Sequence, residues 1–379
     1  MKTTKYILIL IFLSAVFACE KTVYPDPLQE PVKAVGIDIS DFNVLLMPDG
    51  SLTTVVENKT DKSYRFAVVS RNGNMEYYPD SIPLTEKNDS TRLYMDVTET
   101  GVVFGYQQGS KDEKHVIKYD KNGKIVYEKS FSSEFVIALS NGELALFNQS
   151  EYGLFMSVVD NYGEMKKFTY ILETDKHDFQ GAVSFEDKIL LYDYYSYSIF
   201  KTDGSLVSSV AFDSRFVFTD VNYVDGNIYL SGGSIDELSD EDKIVKQYYI
   251  KKLDTLGNEI YTAGVSTSAL LGKMVIHDGM LIATGAFLKD ADGDDGTGAI
   301  FLIDDNSGDV KDSILLDYKN CYAVPYVIVP DKYGEYDVFT VRRDNYDDWT
   351  DFQKGEFDMD KGKLYIYHTD DLHKLQMKE

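Results

Sequence analysis

Short apolar runs alternate with polar turns along almost the whole chain, and beyond the first residues they rarely show the spacing of a helix. Residues 116–119 form one such run, the turn that follows contains Asn122 and Gly123, and a run of β-branched and aromatic residues comes next. Residues 156–159, followed by Gly163, repeat the arrangement. Because Gly and Asn accept the positive φ of tight turns and β-branched residues favour strands, this pattern predicts antiparallel β-hairpins.

The hairpins recur with a regular period. The turn glycines stand 40 to 54 residues apart and are Gly73, Gly123, Gly163, Gly204, Gly257, Gly308 and Gly362. A second hairpin lies between consecutive copies, for example around Gly142 and around Gly226. Each unit is therefore a meander of four strands, which we call A to D in chain order. A period in this range is typical of β-propeller blades rather than of helical or leucine-rich repeats.

The pattern therefore predicts an all-β chain folded as a β-propeller of seven four-stranded blades. The predicted blades cover residues 36–90, 91–133, 134–175, 176–213, 214–266, 267–318 and 319–375. Six or eight blades stay open, because a repeat count is least secure at the ends of a chain. Either the last blade simply packs on the first, or residues 34–39 add an outer strand to it. In the seventh copy we place the third strand at residues 355–359 and its turn at Lys361 and Gly362.

The first residues of the chain have a different pattern. Lys2 and Lys5 precede an apolar run over residues 6–17, which is too short to span a bilayer comfortably and is typical of a signal peptide. Val16-Phe17-Ala18 stands directly before Cys19 and resembles the lipobox of bacterial lipoproteins. We expect cleavage before Cys19 and lipid attachment to its thiol; the alternative is an ordinary secretory signal with an incidental cysteine.

Three segments follow from these patterns. Residues 1–18 are the predicted signal peptide, residues 19–34 a lipidated cysteine with a proline-containing linker, and residues 35–379 the propeller. The linker contains Pro25, Pro27 and Pro31 among mostly polar residues, so we expect a stiff spacer rather than a helix or a central strand.

Charge and cysteine content narrow the classes of partner. The formal net charge is −25, from 63 acidic and 38 basic residues, which argues against nucleic acid and against adsorption to anionic lipid. Solubility alone is a sufficient alternative reason for this charge. Cys19 and Cys321 are the two cysteines of the chain, so lipidation of Cys19 leaves no intramolecular disulfide, and Cys321 reads as a small buried hydrophobe.

The candidate ligand-binding residues are aromatic. In an A-to-D meander the A–B and C–D turns share one face, here the turn face, and the B–C loops and D–A links share the other, the long-loop face. The B–C loops are longest in blades two, five, six and seven, and long loops on a rigid scaffold often carry function. Because aromatic side chains stack on sugars or anchor peptides, we name as candidates Tyr194, Tyr195, Tyr197, Tyr346 and Trp349. The alternative is that these side chains pack the loops onto the blades.

One acidic loop resembles the start of a calcium-binding loop. Asp290, Asp292 and Asp294 alternate along a glycine-containing turn, as the oxygen ligands of a hard cation do. The pattern departs from an EF-hand, because Asp295 takes the place of the central glycine and Phe301 that of the bidentate glutamate. Calcium held by the three aspartates and a solvated turn both stay open, and no other cofactor is expected.

Enzyme chemistry has little support in the sequence. The five histidines are scattered, and no HExxH, CxxC, Walker or GxSxG motif occurs. Carboxylate pairs could support glycoside cleavage, but among 63 acidic residues some pair falls close by chance. We therefore expect a protein that is not an enzyme.

The lipobox at Val16 to Cys19, the charged Glu20-Lys21 that follows, the spacer and the Tyr- and Asp-rich propeller together resemble Bacteroidetes surface lipoproteins. Many of these accompany TonB-dependent transporters of the SusC/SusD type. The resemblance implies a lipid-anchored protein on the outer membrane, exposed at the cell surface, that captures or presents a glycan or a peptide to such a transporter. Two alternatives stay open: a structural subunit of another envelope complex, and a polysaccharide-active hydrolase or lyase.

Overall fold

A computed structural model gives the fold of the chain. It describes residues 33–47, 49–58, 63–83, 91–98, 100–108, 113–172, 179–212, 215–235, 245–267, 269–288, 296–316, 321–331, 333–344 and 363–375. Cys19, Tyr346, Trp349, Asp290, Asp292 and Asp294 lie outside the described residues.

The described residues form seven antiparallel blades of four strands each. The strands of the first three blades are β1 (Lys33–Leu46), β2 (Leu52–Asn58), β3 (Ser63–Val69), β4 (Met75–Pro83), β5 (Thr91–Thr98), β6 (Gly101–Gln108), β7 (Glu113–Asp120), β8 (Ile125–Ser132), β9 (Phe135–Ala138), β10 (Leu144–Ser150), β11 (Gly153–Val159) and β12 (Met165–Leu172). Blades four and five contain β13 (Phe179–Phe185), β14 (Lys188–Asp193), β15 (Ser196–Lys201), β16 (Leu206–Ala211), β17 (Phe216–Val224), β18 (Asn227–Ile235), β19 (Val245–Leu253) and β20 (Glu259–Val265). Blades six and seven contain β21 (Ala269–His277), β22 (Met280–Leu288), β23 (Gly296–Asp304), β24 (Val310–Leu316), β25 (Cys321–Pro330), β26 (Tyr336–Asp344) and β27 (Lys363–Thr369), followed by a short 3₁₀ helix, Leu372–Leu375.

The first strand closes the ring. In its first half, Lys33 and Ala34 pair with Ile366 and Tyr365 of β27, so β1 supplies the fourth, outer strand of the last blade. In its second half, residues 44–46 pair with β2 and form the inner strand of the first blade. The seven-bladed prediction is confirmed, and of the two closure alternatives the added outer strand is the one found. The strand begins at Lys33, within the last two residues of the predicted linker.

Our placement of the seventh C–D turn is wrong. Lys363–Thr369, which follows Lys361 and Gly362, pairs directly with β26 and is therefore the third strand of blade seven rather than the fourth. The reason is the way the ring closes. Because β1 occupies the outer position of blade seven, the C-terminal segment supplies only the three inner strands of this blade, and no C–D turn joins its third and fourth strands. Gly362 consequently belongs to the B–C connection of this blade.

The core is divided among the blade junctions. The buried apolar residues of the described chain form seven clusters, and each cluster joins two neighbouring blades. Val102 and Val103 show how one strand serves two clusters, since Val102 packs towards blade one and Val103 towards blade three. Because successive side chains of a strand point to opposite faces, strands buried on both faces read as continuous apolar runs. The repeat was legible in the sequence for this reason.

Candidate functional site

The three predicted site residues that the structure describes lie at the B–C turn of blade four. Asp193, which is buried, fixes this turn: its Oδ1 accepts hydrogen bonds from the N–H groups of Tyr195 at 2.6 Å and Ser196 at 2.7 Å. Tyr194 and Tyr195 are in the turn itself, and Tyr197 is the second residue of β15. The tyrosine cluster recognised in the sequence therefore belongs to one rigid turn on the long-loop face.

The link between blades four and five is clamped onto this turn. The N–H of Phe212 donates to the carbonyl of Tyr195 at 2.6 Å, and the N–H of Phe216 donates to the carbonyl of Tyr194 at 2.7 Å. These two bonds hold both phenylalanines at the long-loop end of the junction. Tyr195 itself points outwards and is 52% exposed.

Five aromatic rings pack together behind the clamp. Phe216 and Phe218 meet edge to face with centroids 4.9 Å apart, and Phe212 lies 5.3 Å from Phe216. Tyr192 and Tyr197 join the group from blade four, at 4.5 Å from Phe218 and 5.7 Å from Phe212. Ring pairs at these separations contribute beyond their buried area, so the cluster stiffens the junction.

A groove of about 360 Å³ runs along the outer side of this junction. We call it the inter-blade groove. Tyr197, Phe212 and Phe216 form one wall. The other wall belongs to blade five and presents Ser234, Tyr249, Lys251, Glu259 and Thr262. The groove thus combines an aromatic wall with a wall of hydrogen-bonding groups.

The polar wall is internally bonded. Lys251 Nζ donates to Glu259 Oε2 at 2.8 Å and to Thr262 Oγ1 at 3.1 Å, and the Thr262 hydroxyl donates to Glu259 Oε1 at 2.7 Å. The hydrogen bond from Lys251 lowers the pKa of Glu259, so the carboxylate is ionised at neutral pH. The three side chains therefore hold a fixed set of donors and acceptors at the edge of the groove.

Two glycines flank Tyr249 on the same sheet. In the strand register Tyr249 stands opposite Gly232 of β18 and opposite Gly264 of β20. A Cβ at position 232 would lie 2.5 Å from Cε1 of Phe216, so only glycine lets the Phe216 ring lie against β18. At the positions directly opposite Tyr249, neither neighbouring strand has a side chain, so the Tyr249 ring has no cross-strand neighbour.

Tyr197 has a supporting role in the geometry. Its side chain is buried, its hydroxyl donates to the carbonyl of Gly257 at 2.9 Å, and burial raises its pKa to about 12. The neutral hydroxyl links blade four to the C–D turn of blade five. The ring of Tyr197 therefore lines the groove, while its hydroxyl is bound to the backbone of blade five.

A second group of exposed aromatic side chains lies on the outer edge of blade three. Phe168 is 65% exposed and stacks on Phe155 with centroids 5.2 Å apart, and Tyr170 meets the same ring at 5.3 Å. The Tyr170 hydroxyl donates to the carbonyl of Tyr152, whose own ring is also exposed. We call these four residues the blade-three patch.

A smaller cavity of about 290 Å³ lies between blades one and two, on the turn face. Its carboxylates are occupied by the turns that bear them. Asp49 Oδ1 accepts hydrogen bonds from the N–H and hydroxyl of Ser51, and Asp120 Oδ1 accepts from the N–H groups of Asn122 and Lys124. Both carboxylates are thus bound within their own turns.

Within the described part of the chain, no group of three or more His, Cys, Asp or Glu side chains is arranged to hold a metal ion. The same residues include no helix long and apolar enough to cross a membrane. The calcium prediction falls outside these residues and stays a prediction.

The residues of the polar wall were not singled out in the sequence. Lys251, Glu259 and Thr262 lie in ordinary strand positions, and their meeting with Phe212 and Phe216 depends on the angle between two blades. One local signal was present: Gly232 and Gly264 interrupt strands β18 and β20 without a positive φ, and glycine inside a strand often marks a close approach.

Comparison with known proteins identifies the fold and no closer relationship. No family model matches the sequence, and no curated protein matches it significantly. Among solved structures, the WD40 domain of Pan2 from Neurospora crassa is similar over 89% of this chain and 90% of that domain, with 13% identity and a TM-score of 0.50. A protein of unknown function from Bacteroides caccae covers 66% of this chain and 89% of its own, with 13% identity and a TM-score of 0.41. The AfRom2 CNH domain has 8% identity and a TM-score of 0.43.

The chain is a seven-bladed β-propeller. Sequence identities this low show only that the fold is shared, so any function has to be argued from the site itself.

Proposed function

We propose that this protein is a lipid-anchored outer-membrane propeller that binds an oligosaccharide in the inter-blade groove. In this proposal it is an accessory, non-catalytic component of a nutrient-uptake complex. The groove supports the binding role, and the sequence Val16 to Cys19 supports the anchor.

The observation that carries the proposal is the pairing of an aromatic wall with a bonded polar wall in one groove. Sugar rings present flat C–H faces and a rim of hydroxyl groups. Phe212 and Phe216 offer apolar ring area, while Lys251, Glu259 and Thr262 offer donors and acceptors held in fixed positions. The volume of about 360 Å³ falls in the range of small-ligand sites.

Binding without cleavage suits the carboxylates of the groove. Glycoside hydrolysis uses two carboxyl groups roughly 5 to 9.5 Å apart, one of them with a raised pKa. Among the described residues that line the groove, Glu259 is the one acid, and its pKa is lowered by Lys251. Such a carboxylate is a poor proton donor, so the groove favours recognition over catalysis.

The binding test uses the purified propeller on a glycan array, followed by calorimetric titration with the glycans that bind. We expect Tyr249→Ala to weaken binding by about fivefold, since one stacked ring contributes roughly 1 kcal/mol. Tyr152→Ala is the matched control, because Tyr152 is an exposed tyrosine of blade three that does not line the groove. Binding to no glycan, or an equal loss in both variants, would contradict the proposal.

The anchor and the uptake role have a separate test. The natively expressed protein is recovered from outer membranes beside a Cys19→Ala form, and the co-purifying proteins are identified by mass spectrometry. We expect the wild type in the membrane fraction with a TonB-dependent transporter and the variant in the soluble fraction. Recovery without a transporter would remove the uptake role while leaving glycan binding in place.

The blade-three patch favours a second candidate function, that of a structural subunit in an envelope complex. Exposed rings of Tyr152, Phe168 and Tyr170 on one blade edge are typical of a protein–protein contact. If that function is the main one, Phe168→Asp abolishes recovery of the partner in the same pull-down, and Tyr249→Ala leaves it unchanged. The opposite pattern would exclude it.

A further inference from the structure

The first strand leaves the propeller towards the turn face. Lys33 of β1 pairs with Ile366 of β27. Strand β27 ends at Thr369, which stands opposite Tyr336 beside the A–B turn of blade seven. Because β1 and β27 are antiparallel, the chain before Lys33 is directed to the turn-face end of this blade. The proposed lipid on Cys19 is thus connected to the propeller from the side of the turn face.

The linker favours the same side by its length and composition. Residues 20–32 separate Cys19 from Lys33, and with three prolines among them they should extend by roughly 3 Å each, about 40 Å in all. To bring the anchor to the long-loop face, the chain would have to reverse before Lys33 and run back along a blade whose third strand has 7 residues, about 23 Å. The direct path leads to the turn face.

Apolar side chains are exposed around the same end of the propeller. In each described outer strand that follows a C–D turn, one large apolar residue among the first three positions is exposed. These residues, which we call the apolar rim, are Tyr77, Val126, Met165, Leu206, Ile260 and Val310. Exposed apolar surface marks protein or membrane contacts. Because the rim follows blades one to six rather than a single edge, it fits a broad, flat surface, as a bilayer is.

The charges of the turn face limit how deep such a contact goes. Asp160 and Asp254 bind N–H groups of their own turns, whereas the side chains of Asp187, Asp278 and Asp309 are 67%, 89% and 67% exposed. Ionised carboxylates are costly to bring into hydrocarbon, so the contact stays in the headgroup layer, where apolar and aromatic side chains of membrane-surface proteins lie. The net charge of −25 favours zwitterionic over anionic lipid.

We infer that the turn face is the membrane-binding side of the propeller, with the apolar rim in the headgroup layer of a zwitterionic bilayer and the long-loop face pointing away from it. The inference rests on the lipid anchor of the proposed function and adds the surface that this anchor brings to the membrane. Phe212 and Phe216, at the long-loop end of the inter-blade groove, are then open to a ligand from solution.

The experiment measures which face lies near the lipid. The full-length lipidated protein is reconstituted into phosphatidylcholine vesicles, and Cys321→Ala leaves an introduced cysteine as the one free thiol for a fluorophore. Leu206→Cys labels the apolar rim and Tyr195→Cys the long-loop face of the same blade. These residues are 54% and 52% exposed, and strand β15, with 6 residues or about 20 Å, lies between them.

A lipid with a spin label on its headgroup quenches fluorophores close to the bilayer surface. We expect a loss of fluorescence at position 206 and no loss at position 195. Met165→Cys and Tyr152→Cys repeat the comparison in blade three, where Met165 begins the outer strand and Tyr152 lies in the B–C turn. Thermal unfolding checks each labelled variant, and the second pair keeps the test decisive if one variant of the first does not fold.

Stronger quenching on the long-loop face, equal quenching on both faces, or quenching on neither face of a membrane-bound protein would each overturn the inference. Flotation of the vesicles distinguishes this result from failure of the anchor. If the natively expressed protein floats and its Cys19→Ala form stays behind, the anchor stands whatever the quenching shows. If the natively expressed protein does not float, the anchor and the inference fail together, while glycan binding is decided separately on the array.

Discussion

At the scale of the residue, the turn glycines meet two separate requirements. The glycines of the described C–D turns have positive φ, as at Gly308 with +76°, and those from Gly123 to Gly308 pack against the neighbouring blade. A Cβ on Gly308 would lie 2.6 Å from Cδ2 of Tyr261 in blade five. Gly226, in an A–B turn, has a φ of +79° with nothing within 4 Å of its Cβ position. Comparing Gly226 with Gly308 therefore separates the effect of the backbone conformation from the effect of close packing.

The first prediction compares these two glycines. Gly226→Ala is destabilised only by the left-handed backbone conformation that the alanine must adopt, and the free energy of unfolding should fall by about 1 kcal/mol. Gly308→Ala adds overpacking against a buried ring and should lower it by roughly 2 to 4 kcal/mol. Urea denaturation of the two variants measures the difference, and equal losses would show that the blade contact relaxes freely.

Aspartates at the start of the turns supply the remaining local order. Asp160 Oδ1 accepts hydrogen bonds from the N–H groups of Tyr162 and Glu164, both at 2.9 Å, and Asp254 makes the same pair of bonds to Leu256 and Asn258. In three of the six described C–D turns the aspartate that binds the turn N–H groups stands three residues before the glycine, at Asp120, Asp160 and Asp254, and this signal was present in the sequence beside the glycine.

At the scale of the element, hydrogen bonds and ion pairs of single side chains connect one blade to the next. Asp305, in the C–D turn of blade six, receives three groups from blade five: Lys252 Nζ at 2.6 Å, the Tyr229 hydroxyl at 2.7 Å and the Tyr261 hydroxyl at 3.3 Å. Burial raises the pKa of both tyrosines, so they remain hydrogen-bond donors. Lys118 of β7 makes a similar connection from blade two to Gly142 and Asn161 of blade three.

The second prediction concerns this contact between blades five and six. Asp305→Ala removes the carboxylate that binds the buried Lys252 and two buried tyrosine hydroxyl groups, and leaves Lys252 only the carbonyl of residue 305, at 2.9 Å. It should lower the free energy of unfolding by about 3 kcal/mol. Asp187→Ala removes an exposed carboxylate 3.4 Å from Lys188 and should change it by less than about 0.5 kcal/mol. Chemical denaturation measures both, and a loss at Asp305 no larger than at Asp187 would contradict the role given to it.

At the scale of the whole molecule, closure of the ring depends on strands from both ends of the chain. Beside the apolar cluster that joins blades seven and one, Asp337 of β26 binds Arg71 of blade one and accepts a hydrogen bond from His368 Nδ1 at 2.8 Å. His368 Nε2 donates to Glu335 at 3.0 Å. Because blade seven borrows its outer strand from β1, this junction also connects the propeller to the segment that bears the proposed anchor.

The third prediction is a pH dependence at the closure. The hydrogen bond to Asp337 raises the pKa of His368 above its usual 6.5, and Glu335 acts in the same direction. The folded state therefore holds the proton more tightly than the unfolded chain, so the stabilisation is complete below pH 6.5 and is lost as the pH rises through the folded-state pKa. Since His368 is 44% exposed, solvent screening keeps the effect below about 1 kcal/mol.

The measurement is the free energy of unfolding between about pH 6 and pH 9 for the wild type and for His368→Gln. Taking the difference between the two removes the titration of groups that do not interact with His368. Asp331 and Asp370, which do interact with it, have lowered pKa values and stay ionised across this range. The wild type should lose its advantage over the variant as the pH rises. A constant difference across the range would contradict the assignment.

By itself the sequence determined the local structure and its repetition. Positive φ at Gly123 or Gly257, aspartates that bind turn N–H groups, and strands apolar on both faces are consequences of residue chemistry within a few positions, so they can be read along the chain. The blade count and the Tyr194–Tyr197 turn followed from them.

The tertiary structure decided which distant segments meet. It gave the outer strand of blade seven to β1, which left Gly362 without a C–D turn. It also brought Phe212, Phe216 and Lys251 to one groove, through the packing of blade five against blade four. These arrangements depend on packing between residues far apart in the chain, for which strand periodicity and turn residues carry no information.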